Sequence, residues 1–309
     1  MRLIFAGSSE FAIPALEMLI KHTNHEIALV ISQPARPKGR NRILEDTPLA
    51  RYAIESSLKL LKPEQINSID TVNTLDALGA DLLITASYGA FIGKKVRELC
   101  PLGAINLHPS LLPKYRGASP IQSALLARES ITGNSIFLLE KHMDSGPILL
   151  QEELKIGDNE NYCSLHDRLA LHAADLLKKL LSDFDKYPPM AQDHNLATYT
   201  QKIERDDLKL DPSLTARELL PKIRAFSFEP GAYLLFRDKP LKILEAELLE
   251  EESDLPPGSI TEIIKNEGFC IATGKYQLKI RIVQASGKKI MPASAWLLGS
   301  RAEVGEILK

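Results

Sequence analysis

Residues 104 to 122 read Ala104-Ile105-Asn106-Leu107-His108-Pro109-Ser110-Leu111-Leu112-Pro113-Lys114-Tyr115-Arg116-Gly117-Ala118-Ser119-Pro120-Ile121-Gln122. The first five residues form a short apolar strand. Pro109 stops it, because proline has no N–H to give to a ladder. Side chains alternate along a strand, so Asn106 and His108 project from one face at its end. Ser119 before Pro120 is a helix start, and Ile121, Ala124 and Leu125 supply that helix with an apolar face. Strand, proline-bounded loop and helix together make an α/β unit. Its strand carries an amide donor and a titratable imidazole side by side, which suits a carbonyl that becomes an oxyanion.

The same alternation runs outward over the first 180 or so residues. Arg2 to Ala6 is a buried strand, and Gly7-Ser8-Ser9 turns into a helix reaching about Lys21. Glu26 to Ser32 is a second strand, and Thr47-Pro48 opens a helix to about Ser57 by the same cap-then-proline pattern. Ala80 to Ala86 is a nearly continuous apolar strand. Such alternation predicts a mostly parallel, Rossmann-like sheet with helices on both faces. Ligands of these sheets bind at the carboxyl ends of the strands, where Asn106 and His108 fall. Gly7-Ser8-Ser9 lacks the Gly-X-Gly-X-X-Gly spacing of a dinucleotide site.

A helix from about Ser164 to Leu181 ends before Tyr187-Pro188-Pro189, and a polar stretch follows to about Asp206. After a helical piece at Thr215 to Ala225 come short strands at 231–236, 241–246, 258–264, 269–273 and 276–283. Turns at Pro256-Pro257 and Thr273-Gly274-Lys275 separate them, which predicts a small OB-like β-barrel. The expected organisation is a catalytic domain over 1–189, a linker over 190–206 and a barrel domain over 207–309. The acidic run Glu245 to Asp254 reads as a solvated loop.

Composition sets bounds on function. The 309 residues are 44% hydrophobic and 25% charged, with a formal charge of −2, so the chain is not a globally basic nucleic-acid binder. No apolar run approaches the roughly 18 residues of a membrane span. The opening Met-Arg-Leu-Ile-Phe-Ala-Gly reads as a first strand and not a leader. Three widely spaced cysteines, Cys100, Cys163 and Cys270, fit neither a disulfide framework nor a zinc knuckle, so no metal and a reducing, cytoplasmic setting are expected.

A second polar element, His142-Met143-Asp144-Ser145-Gly146-Pro147, lies in a turn between two apolar runs. If the chain returns to the same sheet edge, Asp144 meets His108, where a carboxylate favours the imidazolium and fixes the ring. Taken singly, each of these residues also reads as an ordinary turn former or a partly buried histidine.

Taken jointly, Asn106 to Pro113 with Tyr115-Arg116-Gly117, Pro120-Ile121-Gln122 and Asp144-Ser145-Gly146-Pro147-Ile148 resembles the signature of the 10-formyltetrahydrofolate-dependent formyltransferases. The resemblance extends to Gln33–Arg40, Ser87-Tyr88-Gly89, Arg224-Ala225-Phe226, Gly287-Lys288-Lys289 and Gly299-Ser300-Arg301. It implies that an amine attacks the formyl carbon on the folate. Asn106 and protonated His108 would stabilise the oxyanion, and Asp144 would accept or relay the amine proton. Ser110, Leu111, Leu112 and Pro113 would hold the folate, with Tyr88 and Gly89 lining the pterin pocket. The resemblance also implies methionyl-initiator tRNA as acceptor, gripped by Arg36, Lys38, Arg40 and Arg42 and by Lys288 and Lys289, and a monomeric enzyme. Where the family has a glycine and a threonine around the aspartate, this chain has His142 and Ser145. His142 reads as a loop residue or a substrate contact.

Two other readings compete. One is a formyltransferase acting on an amino-sugar nucleotide, which would share Asn106, His108 and Asp144. The other is a catalytically silent tRNA-binding protein. The region 207–309 carries as many acidic as basic residues, and its cations concentrate between Lys265 and Lys289, where Glu267 is the one acidic residue.

Overall fold

The computed structural model describes residues 1–38 and 43–309. The chain forms two compact units. One comprises residues 1–120, 131–156 and 166–200, and the other 121–130, 157–165 and 201–309.

The first unit is built on a seven-stranded sheet. Its strands are β1 (Arg2–Gly7), β2 (Glu26–Ile31), β3 (Leu60–Leu61), β4 (Leu82–Ala86), β5 (Ala104–His108), β6 (Ile131–Leu138) and β7 (Ile148–Lys155), in the order β7-β6-β5-β4-β1-β2-β3. Strands β5, β4, β1, β2 and β3 are parallel, whereas β6 and β7 add antiparallel pairs at one side. The parallel strands are mainly apolar because helices cover both faces. Leu3, Phe5, Leu82, Ile84 and Ile105 are each 0% exposed. The order reverses between β1 and β4, which is the switch point where such sheets bind ligands.

The cap-then-proline reading holds at α1 (Pro48–Glu55), where the Thr47 side chain accepts from the Ala50 amide at 3.1 Å. Helix α2 (Ile69–Asp76) was not legible in sequence. Its segment is rich in Asp, Asn and Thr, and it owes its start to Ser68, which accepts from Thr71. Helix α3 (Tyr162–Ser182) buries Leu165, Leu169, Ala173, Leu176, Leu177 and Leu180 at helical spacing.

The second unit holds an antiparallel sheet. Its strands β8 (Tyr233–Phe236), β9 (Lys239–Leu249), β10 (Ile260–Ile264), β11 (Gly268–Ala272) and β12 (Gln277–Ala285) follow the order β8-β9-β12-β11-β10. Arg237 and Asp238, at φ +48° and +59°, make the two-residue turn between β8 and β9. The C-terminal segment closes the barrel by bonding both edge strands. Leu235 N donates to Lys309 O at 2.6 Å, and Ile260 N donates to Glu306 O at 2.8 Å. Trp296, on the helix Ala293–Ser300, packs against Phe236 and Phe269 at ring-centroid distances of 5.0 and 5.3 Å.

The acidic run corrects one expectation. Glu245 and Glu247 are strand residues of β9 whose side chains point out while Leu244 and Ala246 point in, and Glu247 pairs with Arg281 at 2.9 Å. Period-two alternation, hidden by the acidic composition, decided the structure there.

Candidate active site

Asn106 and His108 stand on the same face of β5 at its carboxyl end, as their spacing dictates. The neighbouring strand β4 orients the asparagine. Thr85 Oγ1 lies 2.7 Å from Asn106 Oδ1 and 2.9 Å from Ile105 O, with Thr85 directly opposite Asn106 in the parallel register. With Oδ1 engaged, Asn106 Nδ2 is the end left to face the crevice.

His108 is 4% exposed and stacks edge-on against Phe137, with ring centroids 6.3 Å apart. Its Nε2 meets Tyr115 O at 3.0 Å. A carbonyl only accepts, so Nε2 carries a proton and Nδ1 is the nitrogen whose protonation state varies. Nδ1 lies 3.8 Å from Asp144 Oδ2, close enough for charge attraction but too far for a hydrogen bond. Nδ1 is thus left without a hydrogen bond to Asp144.

Asp144 adopts φ +48°, a left-handed conformation uncommon outside glycine. Its Oδ2 accepts from the Gly117 amide at 2.7 Å, and Oδ1 makes no hydrogen bond to the described residues. Gly117 is held at φ +115°, and a Cβ there would lie 2.5 Å from Thr200 O, so only glycine brings this amide to the carboxylate. Gly146 is required for the same kind of reason, since its Cβ would meet Leu138 O at 1.8 Å. Ser145 closes the turn by donating to His142 O at 3.1 Å, while the His142 side chain is exposed.

The loop after β5 is braced from beneath. Ser110 donates to Lys114 O at 2.7 Å, Ser135 donates to Ser110 O at 2.6 Å, and Leu112 N donates to Ser135 at 3.0 Å. Gln151 caps Leu112 O at 3.0 Å. Leu112 packs with Phe137 and Ile148 in a small core, so Ser110 and Leu112 shape the loop while Leu111 and Pro113 are half-buried at its surface.

At the switch point, Ser8 Oγ donates to Tyr88 O at 3.0 Å and accepts from Gln33 N at 3.3 Å, tying together the ends of β1, β2 and β4. The Tyr88 ring sits in the core, where burial pushes its hydroxyl up to about 12. Gly89, at φ +79°, faces open space. Of these strands, β4 adjoins β5.

The basic loop begins in a short antiparallel pair, Arg36–Lys38 with Ile43–Glu45. Arg36 is exposed and lies 3.7 Å from Glu64, whereas Arg40 and Arg42 fall outside the described residues. Lys288 and Lys289 are exposed in the turn that follows β12. Two other cations of that region are neutralised: Lys279 pairs with Glu267, and Arg281 pairs with both Glu267 and Glu247. The positive face expected between Lys265 and Lys289 thus narrows to Lys265, Lys275, Lys288 and Lys289. Among the described residues no cluster of three or more His, Cys, Asp or Glu could hold a metal, and no helix is long and apolar enough to cross a membrane.

Sequence reasoning assigned no role to Thr85, Arg116 or Gln192. Arg116 stood inside the quoted stretch, but its buried position was not readable there, and Gln192 carried no signal in its polar segment.

An α/β sheet with an asparagine, a histidine and an aspartate at one strand edge, followed by an antiparallel barrel, has a match among known families. The formyl transferase family model covers residues 1–181, the model of the formyl transferase C-terminal domain covers residues 202–301, and the chain belongs to this family. Within it, the chain is 37% identical to the methionyl-tRNA formyltransferase of Acidithiobacillus ferrooxidans, over 99% of this chain and 98% of that protein. The methionyl-tRNA formyltransferase of Staphylococcus aureus is 35% identical over 97% of this chain and 96% of that one.

Solved structures share the fold. HypX from Aquifex aeolicus, in complex with tetrahydrofolic acid, superposes with a TM-score of 0.70 at 17% identity. That match covers 99% of this chain, which spans about half (48%) of the longer HypX. An N-formyltransferase from Helicobacter canadensis, bound to folinic acid and dTDP-3-aminofucose, gives a TM-score of 0.63 at 20% identity, covering 92% of this chain and 98% of that one.

Proposed function

We propose that the chain transfers the formyl group of 10-formyltetrahydrofolate to the α-amine of methionyl-initiator tRNA, the step that prepares this tRNA for translation initiation. The observation that carries the reading is that Asn106 and His108 share one face at the end of β5, with His108 Nδ1 3.8 Å from Asp144 Oδ2. The acceptor rests on the full-length likeness to methionyl-tRNA formyltransferases.

In this reading the folate lies along the strand ends, its pterin beside Tyr88 and Gly89 and the loop of Ser110, Leu111, Leu112 and Pro113 against it. The amine attacks the formyl carbon. The new oxyanion receives hydrogen bonds from Asn106 Nδ2 and from Nδ1–H of the imidazolium, held in a buried site where such bonds are strong. Asp144 Oδ1 takes the proton that the amine must lose and relays it to the folate nitrogen, which leaves as N–H when the tetrahedral intermediate collapses. Arg36, Lys38, Arg40, Arg42, Lys288 and Lys289 contact tRNA phosphates. The domains run over 1–189 and 207–309 with 190–206 between them, and the enzyme works as a cytoplasmic monomer without a metal.

Asn106→Ala and His108→Ala, each removing an oxyanion donor, and Asp144→Ala, removing the proton acceptor, should each lower formyl transfer roughly 100-fold to 1000-fold while the protein stays folded. Incubation with 10-formyltetrahydrofolate and either methionyl-initiator tRNA or an amino-sugar nucleotide tests the acceptor. Transfer to the sugar alone would overturn it.

A further inference from the structure

Gln192 lies outside the catalytic trio, 48 residues beyond Asp144, yet it grips the turn that presents the carboxylate. Its Nε2 donates to Asp144 O at 2.9 Å and to Gly146 O at 2.6 Å, so both amide protons are spent on the two carbonyls that bracket the turn. Asp144 needs such a hold. A non-glycine residue in the left-handed region persists only where its surroundings over-determine it.

The other end of the Gln192 amide is anchored by a buried cation. Arg116 is 1% exposed, and no carboxylate pairs with it among the described residues. Its Nε and Nη2 donate to Gln192 Oε1 at 3.2 and 2.6 Å, Nη2 also donates to His194 Nδ1 at 3.0 Å, and Nη1 donates to the Tyr199 hydroxyl at 3.3 Å. A dry guanidinium held only by neutral acceptors polarises them strongly, and an amide whose oxygen accepts two such bonds becomes a better donor through its nitrogen. The backbone completes the loop, since the Gly117 amide, adjoining Arg116, is the group that holds Asp144 Oδ2.

We propose that Gln192 is the positioning residue for Asp144, with the buried Arg116 as its anchor, so that the segment after the catalytic sheet sets the geometry of the carboxylate opposite His108. This rests on the role given to Asp144 above. Gln192→Glu separates the two halves of the device. It keeps the acceptor for Arg116, and so the fold, but removes both N–H donors to the turn.

The test is steady-state formyl transfer to methionyl-initiator tRNA by the full-length wild type, Gln192→Glu, Gln192→Leu, Asp144→Ala and the double variant Gln192→Glu/Asp144→Ala, with melting temperatures recorded alongside. The expected result is a kcat lower by about tenfold or more in Gln192→Glu, as loss of both hydrogen bonds to the turn implies, with KM for both substrates unchanged. The double variant should be no slower than Asp144→Ala, because Gln192 has nothing left to position. Wild-type kcat in a folded Gln192→Glu, a change confined to KM, or a double variant slower by the product of the two single effects would overturn the proposal. An active Asp144→Ala would instead remove the role of Asp144 on which it rests.

Discussion

Thr85 has a single hydroxyl proton and two acceptors within reach, and this group decides which end of the Asn106 amide faces the crevice. At 2% exposure it is packed on all sides, and Thr85→Val replaces the hydroxyl with a methyl of similar size, removing its hydrogen bonds. With Oδ1 no longer held, the amide can rotate, and kcat should fall by about tenfold, the equivalent of one ordinary hydrogen bond. Thr85→Ser should restore most of the activity. Kinetics of the two variants, with melting temperatures to exclude unfolding, check this. An unchanged kcat in Thr85→Val would show that Asn106 is oriented without it. Strand alternation and a terminating proline made it legible that Asn106 and His108 share a face at the end of β5, whereas Asp144 was singled out by the resemblance of its turn to the family's. Thr85 was not legible, because its partner lies on another strand and only the register of β4 against β5 brings them together. Gln192 was hidden for the same reason at longer range.

At the level of elements, the barrel depends on a closing segment that carries little strand signal. Residues 305–309 bond both edges, and the Arg237 guanidinium clamps the segment through Glu306, with Nη2 2.8 Å from Oε1 and 3.0 Å from Oε2. The Glu303 amide and the Arg237 guanidinium hold the Glu306 carboxyl below the usual carboxylate range. A depressed folded-state value means that the stabilisation is complete above the ordinary carboxylate pKa and is lost as pH falls through the lowered one. Glu306→Gln should therefore melt below the wild type at neutral pH, and the gap should close on acidification. The half-exposed ion pair limits the effect to about 1 kcal/mol or less. Melting curves of both proteins across the acidic range check the sign, and a gap that widens in acid would refute it. The helix Ala216–Phe226 shows the opposite case. Its capping box of Thr215 and Glu218 is written in adjacent residues, and the sequence reading found that helix.

On the scale of the whole molecule, a chain of net charge −2 must bind a polyanion through local patches. The internal pairing of Lys279 and Arg281 leaves Lys265, Lys275, Lys288 and Lys289 as exposed cations of that region, with Arg36 exposed in the first unit. Binding of methionyl-initiator tRNA should weaken steeply with salt, and Lys288→Ala/Lys289→Ala should lower the log–log slope by about 1 for each phosphate no longer neutralised. Affinities measured across a salt series check this, and an unchanged slope would remove both lysines from the tRNA surface. The amino-acid sequence by itself determined the α/β alternation, the antiparallel second half, the helix caps and the placing of Asn106 and His108 on one face of β5, because period, capping and turn chemistry act over a few residues. Only the tertiary structure decided which strands adjoin, that the C-terminal segment closes the barrel, that Glu247 and Glu267 neutralise part of the basic face, that Thr85 meets Asn106, and that Gln192, held by Arg116, meets the turn of Asp144. Those contacts join residues tens of positions apart, and they exist only once hydrophobic burial has brought the segments together.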